Sequence, residues 1–406
     1  MRNHNKLATF AKLGLVAAGG SAFLAERASH DYQVRHFSFR ASGLSRDGLS
    51  RDGLTGVETA SLRILHLSDT HFYQGREDLV TWLGRLAERA FQDYDLVVLT
   101  GDMLATRFGD EQLVARALEP FLESGIPGAF VFGAHDYYAN RAGNPLKYLA
   151  RRMRRVTGER EESSLRPREL QETGGVLRGL LAGSNWLDLN NRTGFVEVAG
   201  WRVEFSGVED PHIRRDRFVG FGSGQGTHGF NDVMGTDSAE PTSQETSGPQ
   251  AAGSSLGESA RRVTVGSPRV RIGLAHAPYS RVLDEFAAAG ADLVFCGHTH
   301  GGQVCLPGGM ALVSNCDLPP AFASGVFSWK RREVVGEPGL EVTGGVAPGE
   351  VGGVGNKPLA ASWGEPVRGY ENPALMRVSV SPGLGTSPFT PWRVFCPPAA
   401  YLVELL

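Results

Sequence analysis

Residues Leu293 to Gln303 read Leu-Val-Phe-Cys-Gly-His-Thr-His-Gly-Gly-Gln. Four apolar residues make a buried strand, and the strand ends in two histidines at positions i and i+2. In extended backbone such positions project to the same side. Both imidazoles, His298 and His300, therefore face one small volume, as a transition-metal site needs. Gly301-Gly302 then permit a sharp turn and a close backbone approach. The bland alternative is a polar strand end at an ordinary turn, and the rest of the chain weighs against it.

The same arrangement recurs upstream. The strand at 62–68 runs into Asp69-Thr70-His71, and the one at 96–100 into Gly101-Asp102. The strand at 129–132 runs into Gly133-Ala134-His135-Asp136, and the one at 270–274 into Ala275-His276. Helical spacing over 78–91 (Leu79, Trp82, Leu83, Leu86 and Ala90 on one face) and over 111–123 separates the first three. This alternation predicts α/β layering. In open α/β sheets, sites gather beyond the carboxyl ends of strands. Five strand ends that all carry Asp or His make a chance set of turns a poor explanation.

The order Asp-x-His, Gly-Asp, Gly-Ala-His-Asp, a lone His and Gly-His-x-His resembles the calcineurin-like metallophosphoesterase superfamily over residues 61–316. The resemblance implies a four-layer α/β/β/α sandwich of two mixed β-sheets. The tail is similar to a bacterial, membrane-associated branch: Ser-Pro-Gly-Leu-Gly-Thr-Ser at 381–387 and Pro391-Trp392-Arg393. Trp186 to Asn191 and Glu209-Asp210-Pro211-His212 fit that branch too.

By position, the resemblance implies that Asp69, His71 and His300 bind one divalent ion, with Asp102 shared between two. His276 and His298 then bind the second. It further implies a phosphodiesterase or pyrophosphatase in which a hydroxide shared by the two ions attacks phosphorus in line. His135 would act as general acid, with Asp136 orienting its ring. The mixed carboxylate–imidazole set suits Mn, Fe, Zn or Ni more than Ca or Mg. One position departs from the pattern. Ala134 stands where the family has an Asn ligand of the second ion, and a methyl group cannot coordinate. A water or a nearby side chain (Asn140 or Asn144) replaces that oxygen, or the second ion arrives only with substrate, or one ion suffices.

Other candidates carry less. Asp210 and His212 line the cleft or form loop ion pairs. Asn190, Asn191 and Arg192 contact substrate or stabilise a turn. Arg393 faces a phosphate or pairs with a carboxylate.

Composition bounds the partners. A formal charge of −3 in 406 residues gives no basic face for nucleic acid, which counts against a nuclease of the same superfamily. Four cysteines with no C-x-x-C pair exclude a disulfide scaffold and a zinc knuckle. The apolar run Leu13 to Ala25 follows Arg2, Lys6 and Lys12, and predicts a signal-anchor or membrane-associated helix within 1–30. The catalytic domain is then extracytoplasmic, with a cytoplasmic location as the alternative. The substrate expected is a phosphorylated small molecule or a lipid-linked one. Residues 31–60 read as a connector and 61–406 as the domain. Two stretches in that domain, 217–267 and 331–372, hold too few apolar residues to offset ordering and read as disordered insertions. A rival of another class is a non-catalytic binding protein on a degraded metallophosphoesterase scaffold, for which Ala134 is the one sign.

Overall fold

The structure, a computed structural model, describes residues 25–39, 61–105, 110–137, 173–222, 268–331, 364–369, 372, 375–386 and 391–406. Residues 1–24, residues 138–172 with Asn140 and Asn144, and most of both expected insertions lie outside these.

Two mixed sheets stack face to face. The first has six strands: β1 (Gln33–Phe39), β2 (Leu62–Leu67), β3 (Leu96–Leu99), β4 (Gly128–Phe130), β5 (Trp186–Asp188) and β13 (Ala399–Leu405), in the order β1-β13-β2-β3-β4-β5. The second has seven: β6 (Arg192–Val198), β7 (Trp201–Gly207), β8 (Arg269–Leu274), β9 (Leu293–Cys296), β10 (Gly325–Lys330), β11 (Glu365–Val367) and β12 (Met376–Val380). Their order is β11-β10-β12-β9-β8-β7-β6. Helices α1 (Glu77–Ala87), α2 (Glu111–Glu123) and α4 (Thr173–Leu181) cover the first sheet, and α5 (Ser280–Ala288) covers the second. A four-residue helix, α3 (Ala134–Tyr137), follows β4.

The layering follows from period-2 side-chain alternation. In β2, Leu62 and Ile64 enter the core between the sheets, where Val270, Ile272 and Phe295 meet them from the second sheet. Leu65 and Leu67 turn the other way, onto Leu79 and Leu83 of α1 and Phe121 of α2. Strand β9 splits likewise, Leu293 and Phe295 inward and Val294 and Cys296 toward Phe286 of α5. Each fully buried Leu or Phe contributes roughly 1.5–3 kcal/mol of transfer free energy. A register slip of one residue would reverse both faces at once.

Strands β2 to β5 run parallel, and so do β7, β8, β9 and β12. Each sheet thus gathers its carboxyl ends at one edge, and the two edges meet. Leu384 N–H, after β12, donates to Ser68 O after β2 at 3.1 Å.

Three segments hold more ordered structure than the sequence suggests. The connector over 31–60 begins with β1, which pairs in parallel with β13 from Gln33↔Ala399 to Phe39↔Leu405. Phe37 packs edge-on against Tyr401 at 4.9 Å between ring centroids, so the segment has apolar contacts to hold it. The margins of both expected insertions are also structured. Phe218 packs on Phe286 at 5.1 Å, and β11 pairs with β10.

Candidate metal centre

Every ligand candidate sits on the first residues past a parallel strand. Asp69 and His71 follow β2, Asp102 follows β3, His276 follows β8, and His298 and His300 follow β9. To turn all of these inward, the backbone takes up unusual conformations. Of the eleven described non-glycine residues with positive φ, five are Asp69, His71, Asp102, His298 and His300. Left-handed backbone costs an ordinary residue roughly 1–2 kcal/mol, and strain of this kind collects at functional sites. Gly297 permits the approach of β9 to β2. A Cβ there would overlap the Ser68 hydroxyl and the Asp69 carboxylate.

The ligand atoms form overlapping groups: Asp69, His71 and His300; His71, Asp102 and His135; and Asp102, His276 and His298. Within each group they lie within 4.8 Å of one another. Nε2 of His71 and Nε2 of His300 are 3.0 Å apart. Asp69 Oδ1 is 3.5 Å from His300 Nε2 and 4.0 Å from His71 Nε2. Asp102 Oδ2 lies between the two sides, 3.7 Å from His71 Nε2 and 3.2 Å from His276 Nε2.

These donors fit divalent cations. Burial holds His71 down to about 3 and His300 and His298 well below their ordinary range, so all three offer neutral nitrogens. The two Nε2 atoms face each other at 3.0 Å, close enough for one cation to draw on both lone pairs. His276 Nδ1 donates to the Thr100 carbonyl at 2.7 Å, which directs Nε2 into the site, toward Asp102 Oδ2 at 3.2 Å. His298 Nε2 meets the Asn315 carbonyl at 3.1 Å and leaves Nδ1 as the ligand atom. Burial resists charge at His276, but Asp102, then Asp210 and Asp69, overcome it and raise its pKa well above the usual value. The surroundings thus favour positive charge at this point. Burial also opposes charge on Asp102, yet His276, His135 and His71 together hold its carboxyl well below the ordinary range.

His135 opens α3 beside this cluster. Its ring is the most exposed of the site histidines, its Nδ1 is 3.0 Å from the Ala105 carbonyl, and its Nε2 is 3.9 Å from Asp102 Oδ2. Its backbone N–H donates to Asp102 Oδ1 at 2.9 Å. Asp136 is corrected. Its buried carboxylate accepts from the backbone N–H groups of Asp102, Gly133, Met103 and Leu104 at 2.8, 2.9, 2.7 and 3.3 Å. It clamps the two strand-end loops together, and the orienting group for the His135 ring is the Ala105 carbonyl.

The weaker candidates divide. Asn190 is buried and braces a strand end, accepting from Phe132 N at 2.9 Å and donating to Asp188 Oδ1 at 2.7 Å. Asn191 Oδ1 accepts from Glu209 N and Arg217 N, which ties two loops together. Arg192 pairs with Asp188 at 3.4 Å on the surface. Arg393 turns its side chain onto backbone carbonyls, with the Asp69 charge nearby. Its buried guanidinium donates to the carbonyls of Pro382, Gly385 and Gly383 at 2.7, 2.6 and 3.2 Å. Asp210 and His212 do reach the centre. The His212 ring packs on His298 at 4.4 Å between centroids. Asp210 Oδ1 accepts from His212 N at 2.8 Å, while its buried Oδ2 has no hydrogen-bond partner.

Sequence reasoning missed Thr100, Ala105 and Asn315, which act through backbone carbonyls that no motif encodes. It also missed a buried chain of hydroxyls. Thr100 donates to Ser68 Oγ at 2.6 Å, and Ser68 donates to Asp69 Oδ2 at 2.6 Å.

The sequence model of one family, described as calcineurin-like phosphoesterase, matches residues 62–302, more than half of the chain. No curated protein matches it.

Proposed function

The chain belongs to the calcineurin-like phosphoesterase family, and from that premise we propose that it is a metal-dependent hydrolase of phosphodiester or pyrophosphate bonds. The observation that carries this reading is the position of Asp102 Oδ2, 3.7 Å from His71 Nε2 on one side and 3.2 Å from His276 Nε2 on the other. That placement suits a carboxylate shared by two ions. Bound divalent ions, of the Mn, Fe, Zn or Ni type by donor chemistry, would supply Lewis acidity and lower the pKa of water. The side chains do the rest. Asp69, His71 and His300 hold one ion, and His276 and His298 hold the other. With Nδ1 turned to Ala105, the His135 ring presents Nε2 to the cleft, where a proton on it passes to the departing oxygen. The ring of His212, tilted against that of His298, forms a wall of the same cleft.

Attachment to a membrane through residues 7–25, with the catalytic domain on the outer side, belongs to the same reading. It is supported by the basic flank and apolar run of that segment. A second reading, a binding protein without turnover, draws on Ala134, which leaves the second ion one ligand short.

The test compares bis(p-nitrophenyl) phosphate with p-nitrophenyl phosphate in added Mn²⁺, with His135→Ala as control. Faster turnover of the diester, abolished by EDTA and little changed in the control because p-nitrophenolate departs without protonation, is the expected result. A faster monoester would move the assignment to phosphomonoesterases. No turnover of either under any divalent ion would leave the binding protein.

A further inference from the structure

Large apolar side chains that face solvent cluster in one place. Val304, Leu306, Met310, Leu312, Trp392 and Phe395 are between 36% and 58% exposed, and they make up six of the eleven such residues described. Two short segments carry them, and backbone contacts join the segments into one platform. Val304 bridges Val394, Cys305 N donates to Val394 O at 2.9 Å, and Leu306 N donates to Met310 O at 2.9 Å. Phe395 is held in left-handed backbone at φ 52°. Contiguous exposed apolar surface of this kind marks an interaction site.

Charge is missing from the platform. Residues 301–316 contain no Asp, Glu, Lys or Arg, and the one charged residue in 391–400 is Arg393. That guanidinium is buried against backbone carbonyls and adds nothing to the surface. Leu, Met, Phe and an exposed Trp without charge form the surface that enters the boundary between headgroups and acyl chains.

The chain itself indicates which partner fits. The apolar run Leu13–Ala25 meets the described structure at this platform. The carbonyl of Ala25 accepts from Arg393 N at 3.2 Å and from Ser29 Oγ at 3.0 Å, and Ser29 Oγ also lies 2.9 Å from Pro391 O. Ala25, the last residue of that run, thus adjoins the platform at the residue next to Trp392. We infer that residues 303–312 and 391–396 form a lipid-embedding surface that seats the protein on a bilayer. The surface is continuous with the metal centre, because Gln303 and Val304 directly follow His300-Gly301-Gly302. The inference concerns where the protein sits and does not depend on which ester is cleaved.

Full-length protein is mixed with phosphatidylcholine–phosphatidylglycerol vesicles whose acyl chains carry bromine, a contact quencher of tryptophan. Quenching that disappears in Trp392→Phe is expected. The exposed-residue variant Leu306→Ser/Met310→Ser/Leu312→Ser should lower it by at least about fivefold, with diester turnover in solution unchanged. Protein that pellets with vesicles while Trp392 stays unquenched would overturn the inference and leave membrane contact to the N-terminal run alone. A doubled mass in light scattering without lipid, with Trp392 emission shifted to the blue, would overturn it in favour of a second copy of the chain. Neither readout requires catalysis, so failure of the hydrolase reading is seen separately.

Discussion

The backbone N–H of Asp102 donates to Asp136 Oδ2 at 2.8 Å, and the same oxygen accepts from Gly133 N at 2.9 Å. One carboxylate therefore fixes the ends of β3 and β4 relative to each other, and with them the shared ligand and the base of the His135 helix. Asp136→Ala would leave four buried N–H groups without an acceptor. The expected cost is about 3–5 kcal/mol, read as a lower urea midpoint at unchanged slope. A role in orienting the His135 ring predicts otherwise: unaltered stability with a shifted limb of the pH–rate profile. That outcome would reinstate the sequence-based assignment.

The contrast between Asp136 and Asp102 shows what was legible. Both are acids at strand ends, and sequence alone places both at the cleft edge. Motif order identified Asp69, His71, Asp102, His276, His298 and His300 because a metal centre needs particular side chains at particular strand ends, and both are written in sequence. The direction in which a side chain turns is not. Asp136 faces back into the loops, and Arg393 faces carbonyls, because of backbone conformations that arise only when two sheets meet. Strand β1 was missed for a related reason. It is an edge strand whose apolar contacts lie on β13, more than 350 residues further along the chain.

The Ala105 carbonyl lies against His135 Nδ1 at 3.0 Å, which turns Nε2 toward Asp102 and the cleft. His135→Ala should lower kcat for diesters with alkoxide leaving groups by about 10²–10⁴, the range for general acid catalysis. The loss should be much smaller with p-nitrophenolate, which departs without protonation. Equal losses for the two leaving groups would assign His135 to binding.

The methyl group of Ala134 offers no oxygen to the ion proposed for His276 and His298. Calorimetric titration with Mn²⁺ should show two classes of site, and Ala134→Asn should tighten the weaker one by about tenfold, or 1.4 kcal/mol. Two tightly held ions in the unmodified protein, with no gain in the variant, would mean that another group already supplies the oxygen.

Behind Asp69 runs a buried polar chain. His66 Nε2 lies 2.9 Å from Thr100 Oγ1, Thr100 donates to Ser68, and Ser68 donates to Asp69. Because the Thr100 proton is committed to Ser68, His66 must donate from Nε2, in its neutral form. Burial depresses its pKa from 6.5 to about 3. Between those values the unfolded chain holds a proton that the folded protein refuses, so the stability due to neutral His66 is complete above pH 6.5 and is lost as pH falls toward 3. From pH 7 to 4.5 this amounts to about 2–3 kcal/mol. His66→Gln keeps a donor for Thr100 but cannot titrate. Urea unfolding in EDTA at the two pH values should therefore show a smaller acid loss in the variant by that amount. Other depressed histidines, such as His71 and His298, contribute equally to both proteins and cancel in the difference. Identical acid losses would mean that His66 keeps its proton in the fold, donating from Nε2 as an imidazolium with the direction of the hydroxyl chain unchanged.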